Sequence, residues 1–454
     1  MNNSQVSQYK KMTETPVRRL ICILAVPTVI SMLVTNLYNL VDNAFVGRLG
    51  TASAAAVGVV FGHMAVLQAV GFMFGQGGGS ILSRQLGAKD PDGASHTAST
   101  AFFGSLTLGC ILAVLSACFI DPLITFLGST PTIAPEARIY LSYLLISAPF
   151  ATASFTLNNI LRYEGKAMLG MIGLTAGGIL NIAGDPLFMF ALRMGIAGAG
   201  LSTCLSQITS FSILLSMFLT GRTTTRLSVR NILFSPAAIG NICATGLPSM
   251  LRQSLGSIAT IILNWRSQPY GDEAIAAMSI VSRVSFFVFS MALGIGQGFQ
   301  PVSAFNYGAG RYTRVRKAYR FTLVFSEFLM IGTLIIVSVF SDRVIGIFRN
   351  DPAVIAIGTR ALRLQCASLL FLPATMITEM LLQSTGQKLA ASILSSLRSG
   401  IFFIPLLLIL SSLRGLAGIQ EAQPLAYVCT FFPAVFFAWR MLTIKMPRED
   451  LPAA

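Results

Sequence analysis

Apolar residues dominate this chain in long blocks separated by short polar stretches. The blocks run at 20–47, 52–83, 95–119, 138–160, 167–191, 196–219, 237–264, 274–305, 318–341, 355–383, 389–412 and 422–443. Each is long enough to supply the roughly 20 mostly apolar residues that cross a bilayer as a helix. None alternates with the period of two that marks a barrel strand. The pattern predicts an all-α integral membrane protein with twelve transmembrane helices. The stretch before Leu20 is polar, and the apolar block after it is too long for a signal peptide and lacks its small-residue cleavage pattern, so it is read as the first span.

The blocks repeat. At one constant offset, and without a gap, Pro27 meets Pro248, Asn43 meets Asn264 and Gly50 meets Gly271. The same register aligns Ala55-Ala56 with Ala276-Ala277, Gly75-Gln76-Gly77 with Gly296-Gln297-Gly298, Gly87-Ala88 with Gly308-Ala309, and Gly165 with Gly386. Proline and glycine shape backbone, so their coincidence in register points to two similar six-helix bundles related by a pseudo-two-fold along the membrane normal. The expected organisation is an N-terminal tail at 1–19, a first lobe at 20–219, a linker at 220–236, a second lobe at 237–443 and a tail at 444–454. Two such bundles predict a cavity where they face one another, the usual site of a secondary transporter.

Composition changes the picture little, but charge adds an orientation. Hydrophobic residues make up 54% of 454 and charged residues 11%, with a mean hydropathy of +0.72. The formal net charge of +15 does not imply nucleic acid, because the basic residues crowd into alternate loops. Lys10, Lys11, Arg84, Lys89, Arg162, Lys166, Arg222, Arg226, Arg230 and the Arg311–Arg320 run fall on one side, which the positive-inside rule makes cytoplasmic together with both termini. The basic run is read as facing anionic lipid. The seven cysteines lie in apolar blocks without paired spacing and read as small hydrophobes.

The informative residues are the polar ones inside apolar blocks. Asp42 is an acid within the first span, where a charge costs about 2.5–3.5 kcal/mol at mid-bilayer and tends to face a bundle interior, a cavity or an ion path. Tyr38 and Thr35 share its helix face. In the fifth span Asn181 and Asp185 stand at i, i+4, and Pro186 frees the Ile182 carbonyl. Thr203 in the sixth span adds a hydroxyl, with the Ala199 carbonyl one turn before it. Oxygen-only ligands suit a hard cation such as Na+, and two neighbouring carboxylates favour holding a proton between them. The offset places Leu263, Phe402 and Leu406 where the first lobe has Asp42, Asn181 and Asp185, so the acid cluster belongs to one lobe. The second lobe has Arg252, Arg283, Glu327 and Glu379 inside its spans, read as structural ion pairs. Arg363 and Arg398 also fall within spans. The two histidines, His63 and His96, read as packing and surface residues.

Several of these stretches together resemble the multidrug and toxic compound extrusion (MATE) transporters, and within them the bacterial MepA-like branch. They are Leu37-Tyr-Asn-Leu-Val-Asp-Asn-Ala-Phe-Val-Gly47, the Gly-Gln-Gly with Ser83-Arg-Gln-Leu-Gly87, Leu161-Arg-Tyr-Glu-Gly165, and Asn181-Ile-Ala-Gly-Asp185-Pro. The resemblance implies that Asp42, Asn181, Asp185, Thr203 and the Ala199 carbonyl form a cation site in the first lobe. It also implies drug contacts at Tyr38 and Asn158, beside Thr35, and a first helix that bends, for which Pro27 is the candidate hinge. The chain departs from the other main branch of the family, which carries an acid where this one has Arg252-Gln253.

The expected function is antiport of organic, mostly cationic and amphiphilic compounds against H+ or Na+ by alternating access. The alternative is a flippase for a lipid-linked precursor, which would want a cationic cavity. No catalytic constellation, metal cluster or nucleotide loop appears, so neither an enzyme nor a cofactor is expected, and the energy source is an ion gradient. The expected partners are small organic cations or drugs and the lipid bilayer, without nucleic acid. The expected state is a monomer in a bacterial cytoplasmic membrane.

Overall fold

The computed structural model describes residues 3–451, all of whose regular structure is helical. In chain order the helices are α1 (Asn3–Glu14), α2 (Val17–Gly47), α3 (Thr51–Gly87), α4 (Pro91–Cys118), α5 (Ile120–Phe126), α6 (Ala134–Tyr163), α7 (Ala167–Pro186) and α8 (Ile196–Leu219). There follow α9 (Pro236–Ser267), α10 (Asp272–Gly308), α11 (Tyr312–Val339), α12 (Ser341–Phe348), α13 (Pro352–Leu369), α14 (Leu372–Ser384), α15 (Lys388–Ser396), α16 (Phe403–Arg414) and α17 (Leu416–Trp439). Wide turns extend α7 through Leu187–Ala191, join α15 to α16 through Leu397–Ile401 and extend α17 through Arg440–Lys445.

Among the described residues ten helices are long and apolar enough to cross a membrane by themselves. The expected span at 355–383 is not one continuous helix. It is α13 and α14, bent by 48° at a short break. Pro373 explains the break, since it has no N–H to give and sits in the first turn of α14, where proline is tolerated. The remaining expected span is α9, which is 32 residues long but carries Arg252, Gln253, Ser254 and Ser257 through its middle and is less apolar than the others. The structure also adds three helices that the blocks do not announce: α1 and the short α5 and α12. The last two begin at Ile120 and Ser341, positions that the repeat offset aligns.

The turns repeat as well. Gly195 before α8 has φ 58° and ψ −132°, and Gly415 before α17 has φ 59° and ψ −133°. An L side chain rarely adopts that conformation, so both turns depend on glycine.

The chain divides into two compact units. One is built on Ile30–Met250 with α1, the other on Thr15–Val29 with the chain from Leu251 onward. Each unit thus contains the first part of a long helix whose remainder belongs to the other, and the two division points, Val29 and Met250, stand at the repeat offset.

In the first unit, Gly71, Gly75 and Gly79 of α3 lie against Phe155, Asn159 and Tyr163 of α6, and a Cβ on Gly79 would come 2.2 Å from the Tyr163 ring. The first half of α9 crosses α3 closer still. A Cβ on Gly77 would be 2.1 Å from the Ile242 carbonyl oxygen, and one on Gly246 would be 1.9 Å from that of Met73. In the second unit, at the equivalent crossing, a Cβ on Gly298 would come 2.4 Å from the Ala25 Cα. Small residues let helix backbones approach in a membrane, where burial of apolar side chains adds little.

Candidate functional site

In the first unit, α7 and α8 are drawn together along a glycine face. A Cβ on Gly173 would strike Leu214 at 2.5 Å, one on Gly177 the Ser210 hydroxyl at 1.9 Å, and one on Gly184 the Ser202 hydroxyl at 2.6 Å. This approach brings the Asn181 amide into a knot of oxygens. Asn181 Nδ2 points to Thr203 Oγ1 at 3.3 Å, Ser202 Oγ at 3.4 Å and Asp185 Oδ1 at 3.4 Å. Ser202 in turn donates to the Asn181 carbonyl at 3.2 Å. These long contacts leave the amide shared among three acceptors rather than committed to one.

Asp42 reaches this knot from α2, and its carboxyl lies close enough to Asp185 for a hydrogen bond between the two. Asp42 is buried at 8% exposure and Asp185 at 0%. Three buried oxygens of the cluster find no hydrogen-bond donor among the described residues: Asp42 Oδ1, Asn181 Oδ1 and Asp185 Oδ2. Buried acceptors are nearly always satisfied, so such a concentration in one place asks for a cation or a proton.

The structure therefore gathers Asp42, Asn181, Asp185 and Thr203. Ala199 is fully buried one turn before Thr203, in an apolar cluster with Val46, Leu144 and Met189. Sequence reasoning missed two neighbours. Tyr140 of α6 is buried at 5% exposure, with its hydroxyl near Thr203 and both acids. Ser202 closes the other side. Ser202 is the sequence neighbour of Thr203, which is a usable signal, whereas nothing in the sequence distinguishes Tyr140.

Tyr38 is half-buried with its ring against α7, where a Cβ on Gly178 would come 3.2 Å from it, and the Asn158 amide faces the same helix, where a Cβ on Gly170 would come 2.7 Å from it. Those glycines are eight residues apart, about 12 Å of helical rise. Tyr38 and Asn158 therefore contact α7 at separate levels. Thr35, one turn before Tyr38, is half-buried too.

Of the charges expected to pair in the second unit, Arg252 and Glu379 do so, both buried. The rest of that expectation is corrected. Arg283 is exposed, and Glu327 is half-buried with no ionic partner among the described residues. The two sit on different helices, and sign alone does not say where on a helix face a charge points. The basic run after α10 is also partly structural rather than lipid-facing. Arg314 donates to the Thr15 carbonyl at 2.7 Å, and Arg316 to those of Leu442, Met446 and Pro447 at 2.7–3.1 Å.

A helical membrane protein made of two repeated units, one of them holding a buried acid and amide cluster, has the makings of an ion-coupled secondary transporter. The comparisons agree on a multidrug efflux transporter. The MatE family model matches residues 27–187 and again 248–409, two matches whose starts, at Pro27 and Pro248, lie at the repeat offset. The chain belongs to the MatE family.

It is 28% identical over 418 residues to the multidrug export protein MepA of Staphylococcus haemolyticus, covering 92% of each chain. An outward-facing multidrug resistance MATE transporter of the MOP superfamily superposes with a TM-score of 0.91 at 25% identity, over 98% of this chain and 100% of the other. A MATE structure in a bent conformation gives a TM-score of 0.89 at 25% identity, over 98% and 99%.

Proposed function

We propose that this multidrug efflux transporter exports organic, mostly cationic amphiphilic compounds against an inward flow of H+ or Na+. The observation that carries the proposal is the set of three buried oxygens, on Asp42, Asn181 and Asp185, without donors among the described residues. Two carboxyls that close, away from bulk water, are not both stable as bare anions, so one proton or one hard cation stabilises them together. Thr203 and the Ala199 carbonyl complete the oxygen set, and the Tyr140 hydroxyl lies beside it. Loading the site removes the negative charge that attracts a cationic drug, so drug and coupling ion compete, and competition is the thermodynamic requirement of antiport.

Tyr38 offers an aromatic face to a flat cation, with Thr35 beside it and the Asn158 amide at a second level along α7. The protein works as a monomer in a bacterial cytoplasmic membrane, both termini inside. A flippase of lipid-linked precursors is not favoured, because the relatives that match nearly the whole chain are named as multidrug exporters.

The test is ethidium efflux from proteoliposomes with an imposed H+ or Na+ gradient. Asp42→Asn and Asp185→Asn should each reconstitute normally and lose gradient-driven efflux. Wild-type efflux by Asp42→Asn would overturn the assignment of the coupling site.

A further inference from the structure

The second unit contains a buried cluster of the opposite charge. Arg398 sits in the wide turn Leu397–Ile401 and is only 6% exposed. Its guanidinium lies over the Phe289 ring, 5.0 Å from the centroid, and its charged and titratable neighbours are Glu379, Tyr427 and Arg252. Glu379 is committed to its ion pair with Arg252, and Tyr427 accepts a long hydrogen bond from Gln423 at 3.5 Å. Among the described residues no acceptor is hydrogen-bonded to Arg398, although a guanidinium carries five donors in a fixed fork.

Two buried arginines and one glutamate leave one positive charge uncompensated. A buried charge is retained in a fold only when something pairs with it. The wide turn is a second sign, because such one-residue dilations of a helix occur disproportionately at functional positions.

We propose that Arg398 is a binding residue for the carboxylate of an aromatic or amphiphilic substrate. The fork fits a carboxylate with two parallel hydrogen bonds, the net charge of the cluster calls for a monoanion, and Phe289 supplies an aromatic floor. The substrate range then includes acidic and zwitterionic aromatic compounds as well as the cations attracted by Asp42 and Asp185. This deepens the export reading and rests on it for transport, though not for binding.

The test is equilibrium dialysis of radiolabelled 1-naphthoate against the purified full-length protein in lipid nanodiscs, in gluconate and in chloride buffers, with ethidium binding measured in parallel. Wild type should bind naphthoate saturably. Arg398→Gln should weaken that binding at least about tenfold, the scale of a lost charge-assisted hydrogen bond, and leave ethidium binding unchanged. Arg398→Lys, which keeps the charge and loses the fork, should fall between, and serves as the test variant if Arg398→Gln does not fold.

The inference is overturned if naphthoate binding is absent, is unchanged by both substitutions, or is lost in parallel with ethidium binding. It is also overturned if chloride at ordinary ionic strength displaces naphthoate completely, since the site is then a small-anion site. Intact ethidium efflux alongside any of these outcomes would leave the export reading standing.

Discussion

Glu164 and Thr225 lie 61 residues apart, yet the buried carboxylate of one accepts both the backbone amide, at 2.9 Å, and the hydroxyl of the other. The Thr224 amide adds a third bond at 2.8 Å, and Gln8 of α1 donates to the Glu164 carbonyl at 2.5 Å. The linker after α8 and the N-terminal helix are thus fastened to the loop after α6. Lys166 stands 3.7 Å from the same carboxylate; burial lowers its ammonium below the usual lysine range, and Glu164 opposes that shift.

Glu164→Gln keeps the volume but turns one acceptor oxygen into a donor facing backbone N–H groups. Removing a charged acceptor from buried donors costs about 1–3 kcal/mol, so the variant should melt at a lower temperature in detergent. An unchanged melting temperature would show that the fastening contributes nothing.

The crossing of α3 with the first half of α9 has no room for a methyl group at Gly77. Gly77→Ala would press against backbone rather than a flexible side chain, so folded yield should fall sharply, and Gly298→Ala should behave alike at the equivalent crossing in the second unit. Gly58→Ala, in the same helix α3 and with nothing within 4 Å, should have wild-type yield and is the control for a general intolerance of α3 to substitution. Normal, monodisperse yield from Gly77→Ala would mean that the crossing yields easily.

Much of this architecture is legible in the sequence, because a bilayer demands long apolar blocks and a two-fold repeat preserves the spacing of proline and glycine. The break between α13 and α14 is not, since hydropathy averaged over the length of a span passes over a single proline, and Pro149 sits inside α6 without breaking it. The division of α2 and α9 between units is equally hidden, because apolarity does not record which neighbour a helix half touches. In the site, Asp42, Asn181, Asp185 and Thr203 stand out as polar residues in apolar surroundings. Tyr140 does not, because tyrosine is as common in packing as in ion sites. Arg283 and Glu327 read as partners only while their helix faces are unknown, and Arg398 reads as no more than a charge within a span.

Tyr140→Phe removes the hydroxyl that lies near Thr203 and the two acids and keeps the ring in its apolar setting. Stability should change little, while the ion concentration giving half-maximal efflux should rise by about threefold to tenfold, the scale of one positioning hydrogen bond. A variant that lost all efflux and folded poorly would show that the hydroxyl serves packing instead.

Glu327 has no ionic partner among the described residues. Glu327→Gln should therefore leave yield near wild type, the opposite of what pairing with Arg283 would give. A clear fall in yield matched by Arg283→Gln would restore the pair.

Pro27 lies inside α2, which continues through it from Val17 to Gly47. Without an N–H it cannot bond the Ile23 carbonyl, so the ladder has a weak point about four turns before Asp42. A similar transporter has been seen in a bent conformation, and a weak point is where a helix bends at least cost. If loading of the acid cluster is transmitted by bending there, Pro27→Ala restores the missing bond and should uncouple the two events. Drug binding should remain measurable but should no longer weaken on protonation or Na+ addition, and efflux should fall. Pro248, at the same place in the repeat, separates this from a purely architectural role, because Pro248→Ala should leave coupling intact. If Pro27→Ala keeps ion-sensitive drug binding and normal efflux, the bend is not the coupling step and drug and ion must exclude one another directly at Asp42.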